Sequence, residues 1–328
     1  MWDIVGHEWA VRQLQLALDR GDMPQALLIT GPESVGKMTL ARVVSNALLC
    51  QDPGGQRPCG VCRACRKFTS GTHPDFMPIE PEEAGGSLKI EQIRAVERFL
   101  ALTPHESAHK VALISDFERA TIAAANALLK TLEEPPAYAH LILLAQDADL
   151  LLPTIVSRSQ QINLRPLSPV IIAEALCTRW NIPADQAAHL ARLSGGRMGW
   201  AVRAATEVAY QQRMDNAISL LLGLLRQDLP ARFEIAQTLV RAENSRPDEI
   251  LAYWLTGWRD VLLIQTGNAP RITYRQYHDA LAEIARRVPL NDALQTLKAL
   301  EACQDALQHN ANAQLWMENL LLNLPDLA

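Results

Sequence analysis

Ala26-Leu27-Leu28-Ile29-Thr30-Gly31-Pro32-Glu33-Ser34-Val35-Gly36-Lys37 is the stretch whose reading decides the fold. A short apolar run stops at Gly31-Pro32, and from Lys37 to Leu49 apolar residues recur at helical spacing. That pattern predicts a buried strand, a tight loop and a helix. The loop itself satisfies G-x4-G-K in the required context. Its glycines let backbone N–H groups wrap phosphate oxygens, the helix N-terminus favours an anion, and the lysine reaches the β- and γ-phosphates. Gly31, Pro32, Glu33, Ser34, Val35, Gly36, Lys37, Met38 and Thr39 are therefore candidate nucleotide-binding residues, for ATP or ADP. A turn that keeps the shape without the nucleotide is the alternative.

The metal and water apparatus that goes with such a loop is incomplete. The residue after the lysine should carry a hydroxyl for Mg²⁺, and here it is Met38. Thr39 follows, but one residue is a turn of ~100° around a helix, so its hydroxyl points elsewhere. The strand Val111 to Ser115 should end in acids that hold Mg²⁺ and orient water, yet it runs into Ser115-Asp116-Phe117-Glu118. If Ser115 and Asp116 fill the two acid positions, the metal-binding acid is a serine; Glu118 is a substitute whose register on the loop is open. Mg²⁺ is poorly held in this reading. Nucleotide binding without efficient hydrolysis is the expectation.

Outward from the loop, further strands are read at Asp75 to Ile79, Val111 to Ser115, His140 to Ala145 and Gln161 to Leu164. Helices are read at Ser87 to Leu102 and Ala120 to Leu132, the latter stopped by Glu134-Pro135-Pro136. Alternating strands and helices give an α/β domain, a parallel sheet with helices on both faces, over residues 1–165. After Arg165-Pro166-Leu167-Ser168 the strand-like runs cease. Three short helices (Val170–Trp180, Pro183–Leu193, Met198–Val208) predict a small helical domain over 166–208. Longer helices with polar joints at Asp228-Leu229-Pro230 and from Asn244 to Pro247 predict an all-α domain over 209–328. The chain has 328 residues, about two or three domains' worth. Its 31 Lys+Arg against 36 Asp+Glu argue against coating nucleic acid by bulk charge. No apolar run approaches the ~18 residues of a membrane span, and the start, MWDIVGHEWA, has neither the basic nor the apolar region of a signal peptide. A cytoplasmic protein with no membrane partner is expected.

Four of the six cysteines, Cys50, Cys59, Cys62 and Cys65, read C-x8-C-x2-C-x2-C. A C-x2-C turn brings two thiolates to one ion, and four close a tetrahedral structural zinc site. The iron–sulfur pattern would need a further cysteine where Thr69 stands. Free thiols are the plainer reading, and disulfides are disfavoured in a cytosolic chain. Arg57, Arg63, Arg66 and Lys67 would offset the site's negative charge. His73 is a possible substitute ligand, but four cysteines leave it as a loop residue. Cys177 and Cys303 read as buried core thiols. A zinc-dependent nucleic-acid binder is a weaker alternative, because the cluster lacks interleaved aromatics for stacking.

Several ordered motifs resemble the AAA+ subunits of bacterial clamp loaders. Asp3, Val5, Gly6 and His7 resemble the family's adenine-side segment. The phosphate loop, the four-cysteine insertion and Gly71-Thr72-His73-Pro74-Asp75 follow in the family's order. Asn126 to Pro136 (NALLKTLEEPP) and Ser157-Arg158-Ser159 match two further signatures, and Ser194-Gly195-Gly196-Arg197 begins the lid motif. The resemblance covers about the first 205 residues. It implies an AAA+ domain with a zinc module at 50–65, a lid, and a C-terminal collar. It also implies partners: motor (gamma/tau) and delta subunits in a hetero-pentameric ring, a sliding clamp, and primer-template DNA reached through the complex. In motor subunits the lid supplies an arginine three positions after its second glycine; here Gly199 stands there and Arg197 comes too early. Gln146 replaces the usual phosphate-sensing Thr or Asn. The resemblance therefore implies a stator with a weak or absent ATPase of its own, lending Arg158 to its neighbour's site as a finger in trans. A surface arginine is the plain reading of Arg158, and an active ATPase motor is the alternative function.

Overall fold

The computed structural model describes residues 2–52, 54–82, 86–242, 246–308 and 311–327. The chain divides into two compact units, Met1–Val202 and Arg203–Ala328. The first opens with α1 (Glu8–Arg20), β1 (Ala26–Thr30), α2 (Lys37–Leu49), α3 (Arg63–Thr69), β2 (Phe76–Ile79) and α4 (Ile90–Ala101). β3 (Lys110–Ile114), α5 (Ile122–Glu133), β4 (Ala139–Ala145), α6 (Pro153–Val156) and β5 (Gln160–Asn163) complete the sheet. The helices α7 (Pro169–Trp180), α8 (Ala184–Leu193) and α9 (Met198–Thr206) follow, the last running across the division.

All five strands are parallel, in the order β2-β3-β4-β1-β5. Every residue of β1, β3 and β4 is buried, as expected of strands covered on both faces. Side chains alternate between two cores. Leu27 and Ile29 of β1 join Ile142 and Leu144 of β4 under Leu14 of α1 and Leu40, Val44 and Leu48 of α2. Leu28, Leu141 and Leu143 face the other way, onto Ile93, Val96 and Leu100 of α4 and Leu128 of α5. β1 pairs with β4 on one side and β5 on the other, so the chain reverses direction across the sheet at β1. The C-terminal end of that strand is the switch point where open α/β sheets bind ligands. The edge strand β2 carries an exposed proline, Pro78.

The helix read from Ser87 begins only at Ile90. Leu88 is drawn into a parallel bridge with Ala120, and Gln92 caps the helix by accepting the Lys89 N–H at 3.0 Å. The insertion after α2 contains a helix, α3, that its Gly, Pro and Cys content concealed. The helix α1, which buries Ala10 and Leu14 four residues apart on one face, is a further element absent from the sequence-based expectations. Of the two isolated cysteines, Cys303 is buried and its thiol is pushed up to about 11 by that burial, whereas Cys177 is half-buried.

The second unit is helical throughout: α10 (Val208–Leu224), α11 (Leu229–Arg241), α12 (Pro247–Gln265), α13 (His278–Arg287), α14 (Leu290–Gln308) and α15 (Ala313–Leu322), with short 3-10 turns. Of the joint read from Asn244 to Pro247, Asn244 and Ser245 lie outside the described residues. Trp254 and Trp258, one turn apart on α12, are fully buried. Their indoles donate to the carbonyls of Ala217 in α10 and Ala293 in α14, at 2.7 and 2.8 Å. Arg232 of α11 is also buried, its guanidinium donating to the carbonyls of Leu224, Gln227, Leu324 and Pro325. A planar fork with five donors can satisfy four carbonyls at once, more than the three donors of a lysine allow.

One buried carboxylate organises the far edge of the sheet in the first unit. Asp75, just before β2, is fully buried and accepts the backbone N–H groups of His105, Glu106 and Ser107 at 2.6, 2.8 and 2.9 Å. Burial alone would raise its pKa, but the three N–H donors bring it below the usual carboxylate range. His73, also buried, accepts the Asp75 N–H at Nδ1 and faces the Ser107 hydroxyl at Nε2; that hydroxyl donates to the Leu49 carbonyl at 2.9 Å. His73 is thus engaged at both ring nitrogens and is a structural link. A carboxylate with a depressed folded pKa stabilises fully above its unfolded value, about 3.9, and loses that contribution as pH falls through the folded value. Asp75→Asn should therefore lose about 2–4 kcal/mol near neutral pH by leaving donors unpaired. Denaturant unfolding across a pH series should show the gap to wild type closing on acidification; a gap independent of pH would contradict this account.

Candidate zinc and nucleotide sites

Cys50 ends α2, Cys62 caps α3 and Cys65 lies in its first turn, while Gly60, with φ of 75°, makes the tight turn between Cys59 and Cys62. This brings all four sulfur atoms within 4.8 Å of one another. Cys50 Sγ is 4.0 Å from Cys62 Sγ, and Cys59 Sγ is 3.9 Å from Cys65 Sγ. A Zn–S bond of about 2.3 Å sets sulfurs at tetrahedral corners about 3.8 Å apart, so the donor set fits a closed four-thiolate zinc site. Backbone N–H groups of Cys59, Cys62 and Cys65 point at Cys50, Cys59 and Cys62 sulfurs at 3.3–3.5 Å. Burial works to raise the thiols of the cluster and does so at Cys50 and Cys65, whereas backbone donors from Cys65 and Gln51 bring Cys62 below the ordinary thiol range and favour its thiolate. Of the basic residues near the cluster, Arg63 and Lys67 turn to Glu106, Arg63 at 3.7 Å. They tie α3 to the loop held by Asp75.

The phosphate loop sits at the end of β1. The Gly31 N–H donates to the Gln146 carbonyl at the end of β4, and a Cβ on Gly31 would lie 2.3 Å from the Leu164 carbonyl oxygen. Neither the φ of 142° nor that space admits another residue. Gly36 has φ of 121° and starts α2, and Ser34, at φ of 63°, sits in the left-handed region. The loop is held from several directions. His7 Nε2 lies 3.3 Å from the Val35 carbonyl oxygen, and the Gly199 N–H donates to the Ser34 carbonyl at 2.8 Å. Lys37 Nζ donates to the Gly31 and Pro32 carbonyls. Burial holds Lys37 below the ordinary lysine range, against the opposing charges of Glu118, Asp116 and Glu33.

Pro32 and Gly36 are half-buried, Glu33 is exposed, and Met38 and Thr39 both face outward at the start of α2. Ser115 is buried, with its hydroxyl 3.4 Å from the Ile79 carbonyl. Asp116 is exposed. Glu118 turns inward from the 3-10 turn Phe117–Arg119: both carboxylate oxygens are buried without a hydrogen-bond partner, and burial raises its pKa. Gly199 lies against Ser34, where a side chain would have to press into the loop: an added Cβ would come 3.0 Å from the Ser34 carbonyl oxygen. Arg197 instead donates to its own turn, at the Ser194 carbonyl.

Arg158 is on the turn after α6, apart from the contacts of the phosphate loop. Its guanidinium meets the Glu133 carboxylate at 2.7 Å and donates to the Thr154 carbonyl at 3.1 Å. Reading the sequence did not pair it with Glu133; an acid at the last position of a helix, where the dipole disfavours it, was the available signal.

A five-stranded parallel sheet with this loop at its switch point, a helical second unit and a four-cysteine cluster is an AAA+ P-loop architecture. The family described as DNA polymerase III, delta subunit matches residues 6–168, and its C-terminal part matches residues 209–326. The chain is 35% identical to DNA polymerase III subunit delta' of Pseudomonas aeruginosa, over 73% of this chain and 71% of that protein. It is 34% identical to the delta' subunit of Escherichia coli over 66% and 68%, and 29% identical to that of Bacillus subtilis over 96% and 95%. The chain belongs to the delta' family of DNA polymerase III clamp-loader subunits. Among its described residues no helix is long and apolar enough to cross a membrane.

Cys62→Ser removes one corner of the sulfur tetrahedron and should lower zinc from one per chain to well below stoichiometry on metal analysis. Unfolding of the first unit should shift to lower denaturant, since a metal held by these thiolates would contribute its binding free energy to folding. Full zinc retention would show that the cluster is not the ligand set.

Proposed function

We propose that this subunit acts in the clamp loader as a stator, binding nucleotide without useful turnover and lending Arg158 to the ATP site of a neighbouring motor subunit. In this reading residues 1–165 form the AAA+ domain, 166–208 the lid, and 209–328 a collar that holds the chain in a hetero-pentameric ring with motor (gamma/tau) and delta subunits. The ring loads a sliding clamp on primer-template DNA in the cytoplasm. The observation that carries the reading is the separation of parts. Lys37 and the glycines keep the form of a phosphate cradle, Met38, Ser115 and Gly199 supply none of the groups a motor needs at those places, and the arginine stands on a different turn, exposed. Glu118 leaves one buried acid near Lys37. A motor reading would need the magnesium hydroxyl and the lid arginine that the sequence replaces.

Calorimetry on the isolated chain should show ATP binding that Lys37→Ala weakens, while steady-state hydrolysis stays far below that of a motor subunit. Turnover comparable to a motor would overturn the stator assignment. In the reconstituted assembly with clamp and primed DNA, Arg158→Ala should leave assembly intact and slow hydrolysis at the adjoining site, isolated by inactivating the others. An arginine finger in trans is typically worth ~10³–10⁵ in rate. Arg158→Lys should also be impaired, because it keeps the charge and loses the planar fork. Unchanged hydrolysis at that site would leave Arg158 a surface residue.

A further inference from the structure

We infer that Glu133 is a positioning residue for Arg158: it holds the guanidinium, together with the Thr154 carbonyl, in the orientation from which it serves the nucleoside triphosphate of the neighbouring subunit. The inference rests on the finger reading above and adds a residue to it. An arginine side chain carries about 2 kcal/mol of rotamer entropy, so a finger free in solvent must be ordered during each turnover. Here two contacts from the same chain order it in advance. One terminal nitrogen meets the Glu133 carboxylate at 2.7 Å, and the other donates to the Thr154 carbonyl at 3.1 Å. The two anchors come from different elements, the last residue of α5 and the first turn of α6, which fixes the plane of the fork as well as its position. Because guanidinium has five N–H donors, two anchors leave three for a phosphate. The side chain is 36% exposed, so its free edge reaches solvent.

Glu133 has no comparable role in its own helix. A carboxylate at a helix C-terminus is opposed by the helix dipole. An exposed ion pair contributes little to stability, so its effect should be read in the orientation of Arg158. A carboxylate that merely stabilised the fold would not separate binding from turnover in a different subunit's site.

The experiment uses the reconstituted clamp loader with clamp, primed DNA and ATP, only the site facing Arg158 being active. Glu133→Ala should lower kcat at that site by about three- to ten-fold, the range open to lost preorganisation of a single side chain, with KM for ATP unchanged. Glu133→Gln, which keeps an acceptor oxygen, should recover part of the loss. In an Arg158→Ala background Glu133→Ala should have no further effect, since its role acts through the arginine. If Arg158→Ala slows the site while Glu133→Ala leaves kcat unchanged or raises it, the positioning role is wrong and the finger stands. A loss that persists undiminished in the Arg158→Ala background also overturns it. If Arg158→Ala itself has no effect, the finger reading fails and this inference falls with it.

Discussion

Three backbone N–H groups converging on the buried carboxylate of Asp75 tie the first unit together at its far edge. They fix the loop before β3 against the start of β2. From that loop Glu106 reaches Lys67 and Arg63 on α3, and the Ser107 hydroxyl reaches the carbonyl of Leu49, the residue before Cys50. His73 closes the arrangement from the other side. The cysteine module is therefore continuous with the sheet through hydrogen bonds at both of its ends, and α2, which starts at the phosphate loop, finishes at a candidate metal ligand. Asp75 and His73 are buried, so each needs its partners, and this makes the geometry specific.

At the opposite end of α2 the constraint is steric. Gly31 packs against the Leu164 carbonyl so closely that no side chain fits, and the loop that follows is held through its carbonyls by His7, Lys37 and Gly199. Those contacts engage the loop's carbonyls at Gly31, Pro32, Ser34 and Val35. Around it, Met38 lies on α2, Ser115 directly after β3 and Gly199 on α9. Different elements carry these residues, so they can vary without altering the shape of the loop.

Much of this was legible in the sequence because it rests on short-range signals. The apolar run from Ala26 to Thr30, the glycines and lysine after it, and the C-x2-C spacings each specify local geometry, and the structure brings the four sulfurs together. What stayed hidden depends on distant residues. Leu88 leaves a helical pattern because Ala120 offers it a bridge. α3 forms among turn-formers because Cys62 caps it, its sulfur accepting the Cys65 N–H. Glu106 and Ser107 look like ordinary loop residues until Asp75, about thirty positions earlier, gathers their N–H groups. Arg63 and Lys67 read as counter-charges for the cysteines, but a carboxylate outside the motif claims them.

The edges of the sheet bear on how this protein meets others. β2 and β5 are both four residues long; one contains Pro78, which has no N–H to offer, and the other is Gln-Gln-Ile-Asn. Short edge strands, proline and polar side chains are the means by which sheets avoid adding a strand from another chain. Edges blunted in this way favour contacts made side chain to side chain, on helices and the turns between them, which need no shared backbone ladder.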